Sequence, residues 1–254
     1  NIEYNDSVRR RTSEIFQKEM NRDDMPKSSV THKAKILISD IETSFIKFYG
    51  FSPYNKYVHQ DNLIEDWLLL TTSSKWLFEE ETFDFKLTKD ELLTRNDRRI
   101  TEEMWKLLDD ADIVVFYNGK KFDQKKLNAK FLQYRLGLPS PYVLVDPYLT
   151  VKDKFSLTYS GLDAVCKLLG IEGKLQNEKG LWHKVMQGDE DALELMLVYN
   201  IQDIKILEKV YLELRPYMNN HPNLGLYIAD DVASCPTCGS ENLDWNLKSD
   251  YITS

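Results

Sequence analysis

No apolar stretch in the 254 residues approaches the roughly 20 needed to cross a bilayer; the longest are short pieces such as residues 113–117 and 67–70. A membrane-spanning helix is therefore excluded. No apolar segment follows the basic Arg9, Arg10 and Arg11 either, so no secretory signal is read. Cysteine is scarce. Three residues, with Cys166 inside an apolar helical pattern, make no disulfide framework and favour a reducing compartment, so a cytoplasmic location is expected. Positive charge is in deficit, 33 Lys and Arg against 41 Asp and Glu, for a net charge of −8. That balance ordinarily argues against a nucleic-acid partner, because phosphate binding rests on Lys and Arg. Carboxylates that gather divalent cations also make a chain acidic, however, and the cations then meet the phosphate. Internal repeats and low-complexity segments are absent as well. What is present, 42% hydrophobic against 29% charged residues, is enough for a sizeable core.

The chain reads as three parts. Residues 1–32 are polar, with one amphipathic helix candidate at 7–20 before Asp23, Asp24 and Pro26 break it. Residues 33–218 carry the periodic patterns and form the main domain, and 219–254 form a C-terminal tail. Strands are expected at 34–41, 45–51, 67–76, 113–117 and 142–145, with an edge segment or loop at 79–87. Thr101 is the expected N-cap of a helix whose Met104, Leu107, Leu108 and Ala111 repeat at helical spacing. After Asn118-Gly119 a second helix is expected to turn Phe122, Leu127, Phe131 and Leu132 inward, and 162–169 and 189–214 are helical until Pro216. Three early strands at hairpin distance, followed by strands alternating with helices, imply an α/β domain on a mixed sheet.

Three groups of residues carry chemistry. Asp40 and Glu42 lie two apart at the end of the first strand, so both face one side of the sheet. They repel one another unless something positive lies between them, and hard oxygen ligands imply Mg²⁺ or Mn²⁺. Asp123 follows the strand at 113–117 through a turn that Gly119 permits, which holds it near that strand's carboxyl end. Tyr199 and Asp203, four apart, share a helix face with apolar Leu207 and Val210, and an Asp on a core-facing stripe is costly unless paired or metal-bound. Each group alone also fits a plain structural role: a solvated strand end, a charge at a helix N-terminus, a helix-rim Asp.

In this order, D-I-E-T at 40–43, N-G-x-x-F-D at 118–123 and Y-x-x-x-D at 199–203 resemble the signature of the DnaQ-like, or DEDD, 3′-to-5′ exonucleases of the ribonuclease H-like superfamily. Tyr199 places the resemblance with the DEDDy branch. The second motif is similar to the exonuclease domains of family B DNA polymerases, and the likeness extends to S-G-L-D-A-V-C-K-L-L-G-I at 160–171. Stand-alone phage-type exonucleases, in which the position of Tyr117 is often His, are also similar; for a phage-encoded chain the compartment is the bacterial host's cytoplasm. The resemblance implies a ribonuclease H-like mixed five-stranded sheet flanked by helices. It also implies two Mg²⁺ or Mn²⁺ ions, with Asp40 bridging both, Glu42 and Asp203 completing one site and Asp123 serving the other. Tyr199 then orients the attacking water, and Thr43 grips a terminal 3′-hydroxyl through its backbone N–H. Asn118 belongs to the same substrate-binding stretch, in which Lys120 and Lys121 either meet substrate phosphates or are solvated turn lysines. The implied reaction is hydrolysis of nucleic acid with a free 3′ end, single-stranded DNA favoured, to nucleoside 5′-monophosphates. Two alternatives stand beside it: a proofreading subunit acting in trans with a polymerase or other replication protein, and a non-catalytic nucleic-acid-binding module.

One motif lies outside this set. Cys235-Pro236-Thr237-Cys238-Gly239 is a C-x-x-C with Pro and Gly in its loop, the form of half a zinc ribbon. Two thiolates do not close a tetrahedral Zn²⁺ site, and no Cys or His follows Cys238. The remaining ligands are sought beyond residue 254, in another chain, or at His221; two surface thiols and redox chemistry are the other readings.

Overall fold

In the computed structural model, which describes residues 34–52, 57–171, 178–219, 221–227 and 233–243, one strand organises the rest. That strand, β1 (Ile36–Thr43), is antiparallel to β4 (Leu69–Trp76) on one edge and parallel to β6 (Ile113–Val115) on the other. β5 (Thr82–Lys86) and β7 (Val143–Val145) complete a five-stranded mixed sheet in the order β5-β4-β1-β6-β7. The expected α/β architecture is therefore the one observed. Pairing with β6 covers only Ile36 to Ile38, so β1 runs on beyond its parallel neighbour.

Helices cover both faces: α1 (Lys89–Leu93), α2 (Arg98–Asp109), α3 (Asp123–Tyr134), α4 (Pro147–Lys154), α5 (Leu162–Leu169), α6 (Leu181–Met186) and α7 (Glu190–Leu214). Strand alternation sorts the core. Leu37, Ile41, Val114 and Phe116 pack with Met104 and Leu108 of α2 and Leu127 and Phe131 of α3. Ile36, Ile38, Ile113, Val115 and Val145 pack with Ile204, Leu207 and Tyr211 of α7. Each such side chain, fully buried, contributes about 1.5–3 kcal/mol. Among the described residues no helix is long and apolar enough to cross a membrane.

Three local expectations need correction. The segment at 45–51 is no sheet strand: only β2 (Lys47–Phe48) is extended, paired with β3 (Leu63–Glu65) in a separate two-stranded sheet. α2 begins a turn earlier than Thr101, which is buried inside the helix and donates its hydroxyl to the Asp97 carbonyl. Phe122 and Leu132 are 40% and 82% exposed, because α3 turns Asp123, Leu127, Lys130 and Phe131 inward instead. A helix face is set by what it packs against, and residues 122 and 132 fall outside that stripe. The edge segment at 79–87 does form a strand, β5. The helix candidate at 7–20 and the boundary at residue 32 lie outside the described residues.

Asp97, fully buried just before α2, ties three elements together. Its Oδ2 accepts the Leu69 N–H at 2.7 Å and the Lys130 ammonium at 2.7 Å, and its Oδ1 accepts the Tyr134 hydroxyl at 2.5 Å. Burial, and then Asp97, push the Tyr134 phenol well above its ordinary range. Replacing one partner of a buried pair leaves the other charge uncompensated. Lys130→Met should therefore lower unfolding free energy by about 3–5 kcal/mol in a denaturant titration, whereas a loss under about 1 kcal/mol would mean the pair is solvated.

Candidate active site

The site grows from the part of β1 that β6 does not cover. A strand amide past the end of its ladder still needs an acceptor. At Ile41 that acceptor is the side chain of Asp123, the first residue of α3. The second sequence motif thus bonds to the residue between the two carboxylates of the first. Register supplies the rest: Asp40 stands opposite Ser73 and Glu42 opposite Thr71, so all four side chains share the sheet face that α7 covers.

The third motif arrives through Asn200. This residue, fully buried on α7, donates from Nδ2 to Asp40 Oδ2 at 2.6 Å and accepts the Thr71 hydroxyl at 3.2 Å. Tyr199 and Asp203 flank it at intermediate exposure, Tyr199 packed against the main core. Asp203 was expected to be the polar residue on the core-facing stripe; the buried one is Asn200. Its signal was legible, because it falls in the repeat Leu193, Leu197, Asn200, Ile204, Leu207, where an amide is costly without partners. Two further ion pairs hold α7 in register on the sheet, Lys75 with Glu208, both largely buried, and Lys86 with Glu194 nearer the rim.

The turn before Asp123 is built tightly. Asn118 adopts a left-handed conformation, φ 63°. A Cβ on Gly119 would fall 2.0 Å from that of Phe116, so only glycine fits. Asp146, at the end of β7, takes the Asn118 N–H at 2.8 Å and the Lys120 N–H at 3.2 Å while capping α4 through Tyr148 N–H at 3.1 Å. This organising carboxylate was not foreseen; an Asp-Pro pair ending a strand is its local trace, and its partners lie 26 and 28 residues away. Lys120 and Lys121 are exposed, and Thr43 closes β1 with its carbonyl accepting the Trp182 Nε1–H at 3.2 Å.

Electrostatics single out Asp123. It is 3% exposed, and its Oδ1 has no hydrogen-bond partner among the described residues. Burial, opposed by its own and the Ile41 backbone N–H groups and reinforced by the Asp146 charge, pushes its carboxyl up to about 7. Such an oxygen suits a hard cation, and the oxygen-only set Asp40, Glu42, Asp123 and Asp203 is the donor chemistry for Mg²⁺ or Mn²⁺. The donor types fit. Among the described residues, however, no group of three or more His, Cys, Asp and Glu side chains stands close enough to hold an ion.

The architecture is therefore an α/β fold built on a mixed sheet, with carboxylates at the end of its central strand. A family model of the RNase_H superfamily matches residues 61–215, and the chain belongs to that superfamily. The match contains Asp123, Tyr199 and Asp203, while residues 40–43 precede it. Among solved structures, the family B DNA polymerase from the hyperthermophilic archaeon Pyrobaculum calidifontis is similar at 17% identity and a TM-score of 0.50. The likeness covers 73% of this chain and 25% of the polymerase. No curated protein matches the sequence.

Two outcomes follow. Gly119→Ala should destabilise the protein by about 1–3 kcal/mol, read as a lowered Tm, since Phe116 must move; an unchanged Tm would mean the turn is loose. Asp123 titrates near 3.9 when unfolded and about 7 when folded, so the folded state holds the extra proton between those values. In EDTA its contribution is full below about pH 4 and lost as pH rises through about 7. Asp123→Asn should therefore lose less Tm than wild type between about pH 5 and about pH 8, and parallel profiles would rule out a buried neutral carboxyl.

Proposed function

We propose that the protein is a metal-dependent 3′-to-5′ exonuclease of the DnaQ-like DEDDy type, acting on single-stranded DNA. The observation that carries this reading is the lacing of the three ordered motifs at one end of β1. Asp123 bonds to the Ile41 N–H, and Asn200, one turn before Asp203, bonds to Asp40. Membership of the RNase_H superfamily supports nucleic-acid hydrolysis, and the DNA polymerase among similar folds is compatible with DNA.

Asp40, Glu42, Asp123 and Asp203 are the residues that would hold two divalent cations. When bound, such ions lower the pKa of a coordinated water and neutralise the charge that develops on the leaving oxygen. Tyr199 orients the attacking water through its hydroxyl, since a phenol is a poor base at neutral pH. The backbone N–H of Thr43 holds the terminal 3′-hydroxyl. Asn118 shapes the loop beside Asp123, and the exposed Lys120 and Lys121 meet substrate phosphates, adding local positive charge to a chain of net charge −8. Burial of Asp123 serves the same end: a carboxyl that resists charging alone becomes a firm ligand once a cation is beside it.

The deciding experiment is degradation of end-labelled single- and double-stranded DNA and RNA, with Mg²⁺, Mn²⁺ or EDTA, resolved on a gel. Single-nucleotide shortening from the 3′ end that EDTA abolishes is expected. Asp40→Ala, Glu42→Ala, Asp123→Ala and Asp203→Ala should each reduce it to background, with effects that do not add because the ligands act as a unit. Tyr199→Phe should slow it by about 10- to 1,000-fold with the fold intact. Near-wild-type cleavage by Asp40→Ala would overturn the assignment.

A further inference from the structure

The C-terminal segment carries a built feature that hydrolysis does not use. Residues 235–240 form a closed turn: Cys235 N–H donates to the Ser240 carbonyl at 2.8 Å and Gly239 N–H to the Cys235 carbonyl at 2.7 Å. Gly239 closes it at φ 72°, a left-handed conformation that glycine takes without strain. Inside the turn, the backbone N–H groups of Thr237 and Cys238 point at the Cys235 sulfur, and that of Ser240 at the Cys238 sulfur. The two sulfurs are hydrogen-bonded to each other. Three amides aimed at two sulfurs solvate negative charge, which neutral thiols do not have.

The turn is also fastened to the fold. Pro236 O accepts the Leu224 N–H at 2.8 Å, and Leu224 is buried in the core cluster that contains Tyr211 of α7. The buried Arg215, at the end of α7, adds positive charge beside both sulfurs.

We propose that Cys235 and Cys238 form a two-thiolate half-site for a soft divalent cation, Zn²⁺, which pins the C-terminal segment to the end of α7. The amide-to-sulfur bonds, the closed turn and the paired sulfurs are what a tetrahedral thiolate site requires of one of its halves. His221 is not the missing ligand. Its Nε2 is bonded to the Tyr211 hydroxyl at 2.7 Å and its Nδ1 lies 2.8 Å from the Pro222 carbonyl oxygen, which corrects the expectation from sequence. Cys166 is buried apart, among Val165, Ile206 and Val210. Among the described residues no third ligand joins the pair, so the two cysteines make half a site. This inference stands independently of the nuclease reading, since none of the carboxylates takes part.

The test is zinc content and Co²⁺ titration of the full chain, purified under reducing conditions. The expected result is about one zinc per chain, or about one per two chains where a second copy supplies the other half, with a thiolate-to-Co²⁺ charge-transfer band on exchange. Cys235→Ser and Cys238→Ser should each lower bound zinc about tenfold or more, while Cys166→Ser leaves it unchanged. Because a serine variant could simply misfold, the wild-type titration decides by itself: reduced chain that is zinc-free and gives no charge-transfer band overturns the proposal. So does isolation of a Cys235 to Cys238 disulfide that, once reduced, takes up no cobalt.

Discussion

Everything at the carboxyl end of the sheet follows from β1 being longer than its parallel neighbour. Where β6 stops, the Ile41 amide is left at a covered edge, and an unpaired buried amide costs roughly 1–3 kcal/mol. The Asp123 carboxylate answers that need and is thereby held against the residue between Asp40 and Glu42. To arrive there the chain must reverse within a few residues of Val115, which makes Gly119 obligatory beneath Phe116 and gives Asp146 its two loop amides. A backbone hydrogen-bonding requirement thus draws Asp123 to the strand that carries Asp40 and Glu42, an approach that local electrostatics alone would oppose.

The second constraint is polar. β4 is buried along most of its length yet reads Thr71, Thr72, Ser73, Ser74 and Lys75 through its middle. Ser39 and Ser74 satisfy one another at 2.8 Å on the face toward α2. On the other face Thr71 and Lys75 bond to Asn200 and Glu208 of α7, eight residues apart on one side of that helix. Apolar ridges tolerate a slide by one turn; paired polar groups do not, because a slip would bury each of them unpartnered. That interface sets the height of α7 on the sheet, and with it the positions of Tyr199 and Asp203.

The acidity of the chain also acquires a local meaning. Lysines in the α3 region divide between roles: Lys130 is buried on Asp97, Lys126 lies 3.8 Å over the Trp67 ring, and Lys120 and Lys121 remain exposed beside Asp123. Burial lowers Lys126 from its ordinary range, while the exposed pair keeps contact with solvent.

Much of this was legible in the residues. Alternation in D-I-E put Asp40 and Glu42 on one face, the apolar repeat gave α7 almost to the residue, and the order of strands and helices gave a mixed α/β sheet, because each depends on neighbours within one element. The inward faces of α3, the shortness of β2, the partners of His221 and the parts played by Asn200 and Asp146 depended instead on contacts between elements distant in sequence. Asn200 reaches Asp40 across 160 residues, and no local period records that distance. The sequence by itself determined which residues could do chemistry and which elements would carry them. Only the tertiary structure decided which of those residues meet, since a hydrogen bond or buried charge is satisfied by whatever packing brings near, and packing is a property of the whole chain.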